Sequence, residues 1–358
     1  MSFMKYLEFS DQASLSSQKP KNPPEKNQKL SLLYGVFAGI LFGLGNYTLG
    51  IHVKMGYLAT CIQGNGALLV IVISTVCSVL ASVIKKKQIW TWEDSNFRNN
   101  QTGGFHWKNL AGILIYCLVV ILTALCINLT FRFALYADIN QGILTSIFGV
   151  SALISAVLAY FLFGDKLKNY HIFGMIMIMF CVIGFAFGQT SKIHHKTNSE
   201  NATFYSILSI SLACLCPLGF ALQGMTARYT SENYGLDSSI LTACSYTILN
   251  VLYLTVTICM YSTDEHPFIL SEYLIILFSG CILYFGVLCV NKALVLGLAG
   301  PVFSLENIEV IIMTILDIIF MGVYPNSIEI LSACVGVAGC ITICLYPEIS
   351  KLCESQRN

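Results

Sequence analysis

Charge is what this sequence has least of. Only 20 Lys or Arg and 19 Asp or Glu occur in 358 residues, 11%, where soluble domains carry roughly a quarter. That is too little charge to clothe a water-soluble globule of this size. The shortage favours neither sign: the net charge is +1, which leaves no basic footprint for nucleic acid and no acidic docking tail. Nucleic acid is therefore excluded as a partner. Metal-ligand spacings are lacking as well. The 15 cysteines lie mostly inside apolar runs, where a thiol acts as a small hydrophobe. Cys214 with Cys216 and Cys340 with Cys344 have neither CxxC spacing nor neighbouring histidines, so no metal site and no cofactor are expected.

What the chain has in quantity is apolar length: 56% apolar residues and a mean hydropathy of +0.71. A bilayer core takes about 20 apolar residues per helix. Ten runs qualify, at 32–52, 58–84, 110–131, 139–163, 171–188, 204–227, 239–261, 273–294, 302–321 and 328–345. The fold class expected is an all-α membrane protein with ten transmembrane helices. Residues 1–30 are polar, with Lys19, Lys21, Lys26, Lys29 and Pro23-Pro24. They lack the pattern of a cleavable signal and read as a disordered cytosolic segment, so the first run acts as its own insertion signal.

Basic residues fix the expected orientation. With the N-terminus inside, inner segments hold 15 of the 20 basic residues, Arg228 among them, and outer loops hold only Lys54, Arg132, Lys192 and Lys196. Lys292 falls within a run. Both termini are then cytosolic. Of four Asn-x-Ser/Thr triplets, Asn46 and Asn128 lie within runs, Asn100 in an inner loop and Asn201 in an outer one, which leaves Asn201 as the sole candidate glycan acceptor.

A repeat follows. Phe133-Ala134-Leu135-Tyr136, an apolar run and Phe163-Gly164-Asp165 recur as Lys292-Ala293-Leu294-Val295, an apolar run and Met321-Gly322. A small residue recurs at a seven-residue step in each last helix, Gly174 to Cys181 and Ser332 to Gly339. The offset is 158 to 159 residues, five helices. An odd number of spans forces the second copy to enter from the opposite side, so two inverted five-helix repeats are expected, with a shared central site as in secondary transporters. The domains are 31–188 and 204–346, joined by an outer linker at 189–203 and followed by a cytosolic tail at 347–358.

The segment from Phe133-Ala134-Leu135-Tyr136-Ala137 through Phe163-Gly164-Asp165-Lys166-Leu167 to Gly174 resembles the end of an EamA-type repeat of the drug/metabolite transporter superfamily. Leu294 through Pro301 and onward is similar to the matching part of the second repeat. The resemblance implies ten helices, cytosolic termini and carriage of small organic solutes. The chain departs from the pattern in having Asp165 where Glu is usual, and in having no acid at Gly322-Val323-Tyr324.

Ionisable residues within spans are expensive and so are functional candidates. The ninth run carries Glu306, Glu309 and Asp317, which as one helix would share a face. At an offset of 159 the first copy has Ile147, Val150 and Leu158 there. Glu309 is the candidate for substrate or proton contact. Glu306 could do the same or could pair with Lys292, and Asp317 could reach the outer interface. Lys292, beside Asn291, is matched to Arg132-Phe133, so a basic residue in each half could capture an anionic solute or snorkel to the surface.

Amides at Asn46, Gln63, Asn65, Asn128, Asn140, Gln141, Gln223 and Asn250 could bind a solute or bridge helices. The Gln63-Gly64-Asn65-Gly66 stretch could open its backbone beside a cavity. Gly35, Gly39 and Gly43 read as a helix-packing stripe. Tyr47, Tyr116, Tyr136 and Tyr284 could stack on a ring or serve in packing. Gly149-Val150-Ser151 resembles the start of a serine nucleophile motif, but no histidine lies at helix depth, so no enzyme is expected.

The function expected is a secondary carrier of a small polar organic solute, proton-coupled through Glu309. Its site is drawn from Glu309, Glu306, Lys292, Asn65, Gln63 and Asn291, and its partners are the solute and the lipid bilayer. The alternatives are an exchanger of nucleotide sugars or other phosphate-bearing solutes, for which Lys292 would dominate, and a nontransporting membrane sensor.

Overall fold

A computed structural model describes residues 25–52, 57–86, 95–98, 104–137, 144, 147–190, 200–263, 268–322 and 324–355. The elements are α1 (Glu25–Ile51), α2 (Tyr57–Lys86), α3 (Trp107–Tyr136), α4 (Ser151–Phe163), α5 (Asn169–Thr190) and α6 (Glu200–Tyr234). They continue with α7 (Ser238–Thr263), α8 (Leu270–Leu296), α9 (Ala299–Glu306), α10 (Glu309–Leu316), a π-helical turn at Asp317–Met321 and α11 (Ser327–Ser355). No named strand occurs among the described residues.

Seven of the helices, α1, α2, α3, α6, α7, α8 and α11, are long and apolar enough to cross a membrane, while α4 and the Asn169–Phe185 part of α5 are shorter. Their outer faces carry exposed aliphatics such as Val72, Ile73, Val76 and Leu80 on α2 and Leu114, Leu118 and Leu122 on α3. Lipid is the solvent that makes such a surface favourable.

Several expected helix bounds are corrected. The polar N-terminal segment is helical from Glu25 onward, so residues 25–30 belong to α1, and residues 1–24 lie outside the described residues. The tail expected from 347 continues α11 to Ser355. The ninth run, expected as one helix, is divided: α9 stops at Glu306, Asn307–Ile308 form a turn, and α10 starts at Glu309. The shared face argued from a continuous helix does not apply across that turn.

The break has a counterpart. At Gly149–Val150 the chain makes a turn before α4. There Val150 N–H donates to Ile147 O, Ala152 to Gly149, Leu153 to Val150 and Ile154 to Val150. At the second break Ile308 donates to Leu305, Val310 to Asn307, Ile311 to Ile308 and Ile312 to Ile308. The same four bonds thus recur 158 residues apart, mostly tightened three-residue steps that keep backbone donors paired where the helix bends.

Two more features recur at that offset. Gly164 (φ 71°) and Gly322 (φ 63°) both take the left-handed conformation, where a side chain would be strained. At the start of the last helix of each half, Lys168 N–H donates to His171 Nδ1 at 3.3 Å and Asn326 N–H to Glu329 Oε2 at 2.8 Å. The offset of 159 used for the acids is thereby corrected to 158, which matches Glu306 to Phe148 and Glu309 to Ser151.

Packing pairs recur in the same way. α1 packs on α8 and α3 on α6; α2 lies on α8 and on α7, and α3 on α7; α1 meets α9 and α4 meets α6. α5 packs on α11 in antiparallel sense, because Gly174 opposes Gly339, Cys181 opposes Gly336 and Gly184 opposes Ser332.

Candidate functional site

The helices enclose a cavity of about 1150 Å³ lined from both halves of the chain. The exposed lining residues Tyr57, Arg132 and Tyr136 mark a mouth where α2 starts and α3 ends. Its floor includes Tyr116 and Asn291. Asn291 Nδ2 lies 2.7 Å from both the Tyr116 hydroxyl and Thr242 Oγ1 and donates to them, so a buried amide locks α8 to α3 and α7.

One wall is the broken ninth run. Glu306, Asn307, Glu309, Val310 and Met313 all line the cavity. The glycine stripe of α1 explains how the break is held. A Cβ at Gly39 would stand 2.7 Å from Leu305 O and 2.9 Å from Glu306 O, and one at Gly43 would stand 2.7 Å from Ile312 Cβ and 3.0 Å from Glu309 O. Small residues let α1 run against the turn itself. One turn further along α1, Asn46 Nδ2 donates to Glu309 Oε2 at 3.0 Å. Glu306 Oε2 is buried and has no hydrogen-bond partner.

Of the six residues singled out for the site, Glu306, Glu309, Gln63 and Asn291 line the cavity; Asn65 and Lys292 do not. Asn65 is buried and donates to Thr257 Oγ1 on α7 at 3.1 Å, a bridge between helices. Lys292 is half-buried on α8, off the cavity wall. Arg132, its expected mate, is exposed at the mouth, where its Nε donates to the Tyr136 hydroxyl at 3.2 Å. The two basic residues therefore do not converge on one anion site.

Gln63 donates to Ser279 Oγ at 2.7 Å and to Gly45 O at 3.3 Å, fixing α2 to α8 and α1. The backbone around it is not opened. α2 is continuous there, and Gly66 and Gly280 instead admit the carbonyls of Leu277 and Gln63 from the facing helix. Among the other amides, Asn46, Asn128, Gln223 and Asn250 line the cavity, while Asn140 and Gln141 lie outside the described residues. The side chains of Asp317 and Asn201 and the whole of Asn100 lie outside them as well.

Tyr116, Tyr136 and Tyr284 line the cavity, but Tyr47 does not; its hydroxyl donates to Leu316 O at 3.3 Å. Sequence reasoning missed Tyr57, Tyr246, Tyr253, Asn307 and Glu329 as lining residues. The run Glu306-Asn307-Ile308-Glu309 held the one available signal, an amide between two acids.

Opposite the mouth, about one helical turn beyond the lining residue Gly224 on α6, Arg228 is buried. Its Nη1 and Nη2 donate to Asp165 at 2.7 and 2.9 Å and its Nε to Glu232 at 2.7 Å, with the guanidinium 4.4 Å from the centre of the Phe163 ring. Arg228, expected in an inner loop, is instead a helix residue clamped to the acid of the Gly164-Asp165 turn. Such a bidentate pair is the geometry that makes a buried ion pair tolerable.

Residues 196–345 match the model of the EamA-like transporter family. No curated protein matches. A solved structure, titled only as the crystal structure of a protein, superposes with a TM-score of 0.61 at 15% identity, covering 88% of this chain and 96% of that one, which shows a shared fold. The chain is a multi-pass integral membrane protein by its seven long apolar helices, and its residues 196–345 are similar to the EamA-like transporter family, consistent with the drug/metabolite transporter superfamily.

Proposed function

We propose that the protein is a secondary transporter of a small polar organic solute, working by alternating access, with ten crossings arranged as two inverted five-helix halves of residues 31–188 and 204–346. The observation that carries the reading is the cavity of about 1150 Å³, walled by both halves and by a helix broken beside two carboxylates. Repeat-related halves, discontinuous helices and a midplane site are the architecture of such carriers. The four backbone bonds that recur after 158 residues and the antiparallel α5 and α11 support the inverted relation.

In this reading the structure is open at the Tyr57 and Arg132 end, the outer side by the distribution of basic residues, and closed at the Arg228–Asp165 end. Both termini are cytosolic. Closing the mouth and opening the clamp would expose the same carboxylates to the other side. Glu309, held by the Asn46 amide at the helix break, carries the coupling proton.

Solute counterflow in sealed proteoliposomes tests the transport reading. The result expected is uptake that is accelerated by unlabelled solute on the far side and changes with pH. A chain that exchanges nothing across a panel of amines, amino acids, sugars and nucleotides would favour a nontransporting sensor.

A further inference from the structure

The charge on the cavity wall specifies the class of solute, an inference that rests on the transport reading above. Apart from tyrosines, the ionisable side chains that line the cavity, among the described residues, are Glu306, Glu309, Glu329 and Arg132. The guanidinium stands exposed at the mouth, engaged with Tyr136. Glu329 closes a reciprocal cap, accepting from Asn326 N–H at 2.8 Å while its own N–H donates to Asn326 Oδ1 at 2.9 Å.

The pair at the helix break is differently placed. Glu309 accepts from Asn46, and Glu306, whose Oε2 is buried without a hydrogen-bond partner, lines the cavity with its remaining surface. Two neighbouring, part-buried carboxylates within a membrane span are costly unless a cation or a proton joins them. The walls around them supply Tyr116, Tyr246, Tyr284 and Phe303, and aromatic faces attract cations.

A bare metal ion fits poorly. Among the described residues no three His, Cys, Asp or Glu side chains group as ligands, and the volume suits an organic molecule. A phosphate-bearing solute would bring negative charge to the carboxylates, and Lys292, the residue that would have received it, is off the wall. We infer that the solute is an organic cation, an amine carried on an aromatic or apolar body, with its charged nitrogen held by Glu306 and Glu309 and its body against the tyrosines.

Three compounds of nearly one shape and different charge test this: tyramine (cationic), tyrosol (neutral) and 4-hydroxyphenylacetate (anionic). Thermal melting of the purified full chain is expected to show stabilisation by tyramine alone. Tyramine affinity should fall at least about tenfold in Glu306→Gln and Glu309→Gln, a loss of about 1.4 kcal/mol, and should be retained in Glu309→Asp, which keeps the charge if a Gln variant folds poorly.

Equal stabilisation by all three compounds, stabilisation by the anion alone, or none by any of them overturns the inference. Counterflow separates it from the reading beneath it. Exchange of 4-hydroxyphenylacetate but not of tyramine would leave a transporter and remove the cation site. Tyramine binding with no exchange of any solute would leave the site and remove transport.

Discussion

At Gly149–Val150 and at Asn307–Ile308 the chain makes the same turn with the same four backbone bonds, yet lines it with different chemistry. The first break is flanked by Phe148 and Ser151, the second by Glu306 and Glu309, and all four line one cavity. The backbone device is duplicated, whereas the carboxylates belong to one half. In the proposed transport reading, a symmetric scaffold would suit two interconvertible states, while one asymmetric wall would give the solute a single place to put its charge. Conformational change and recognition can then be altered separately.

Several substitutions would break or sharpen that contrast. The largest effect is expected from Glu309→Gln, which should abolish the pH dependence of uptake and lower its rate at least about tenfold, the equivalent of 1.4 kcal/mol. Ser151→Ala at the matched position should change uptake less than about twofold by the same conversion. Initial rates in proteoliposomes over a range of pH measure both, and equal losses would mean that the halves share the chemistry.

Next comes the clamp at the closed end. Asp165→Asn leaves the Arg228 charge buried with only Glu232, and stability should fall by about 3 kcal/mol, the low end for a broken buried pair, read as a lowered thermal midpoint. Gly39→Val should cost about 1–3 kcal/mol, because its side chain would meet the Leu305 and Glu306 carbonyls and force α1 off the break. The smallest change is Glu329→Gln. It removes one charge from the wall but can keep the Asn326 cap, so stability should move by about 1 kcal/mol or less while tyramine binding persists.

Much of this was legible in the sequence, for identifiable reasons. The apolar runs fixed where helices form, and the repeat of Gly164 at Gly322 marked an offset that the left-handed turns reproduce. The acids of the ninth run were visible because carboxylates are costly in lipid.

The break between those acids was not legible. Residues 302–312 contain neither Pro nor Gly, and the turn there is stabilised by α1, more than 250 residues away in sequence, through Gly39 and Gly43. Arg228 was misplaced for a similar reason. The apolar run stops at Ala227 with Arg228 next, yet the partner that lets α6 continue past that charge is Asp165, 63 residues earlier. The repeat offset that matches Lys292 to the Arg132-Phe133 pair does not tell which face of α8 looks into the cavity; Asn291 does and Lys292 does not.

The most direct test of the account is the sidedness of position 309. In a background whose native cysteines are replaced, Glu309→Cys in sealed, oriented vesicles is exposed to a membrane-impermeant thiol reagent from one side and then from the other. Alternating access predicts labelling from both sides. It also predicts less labelling from the mouth side when the Asp165–Arg228 clamp is removed by Asp165→Asn, which favours the state open at the other end. Labelling from one side only, unchanged by loss of the clamp, would contradict it.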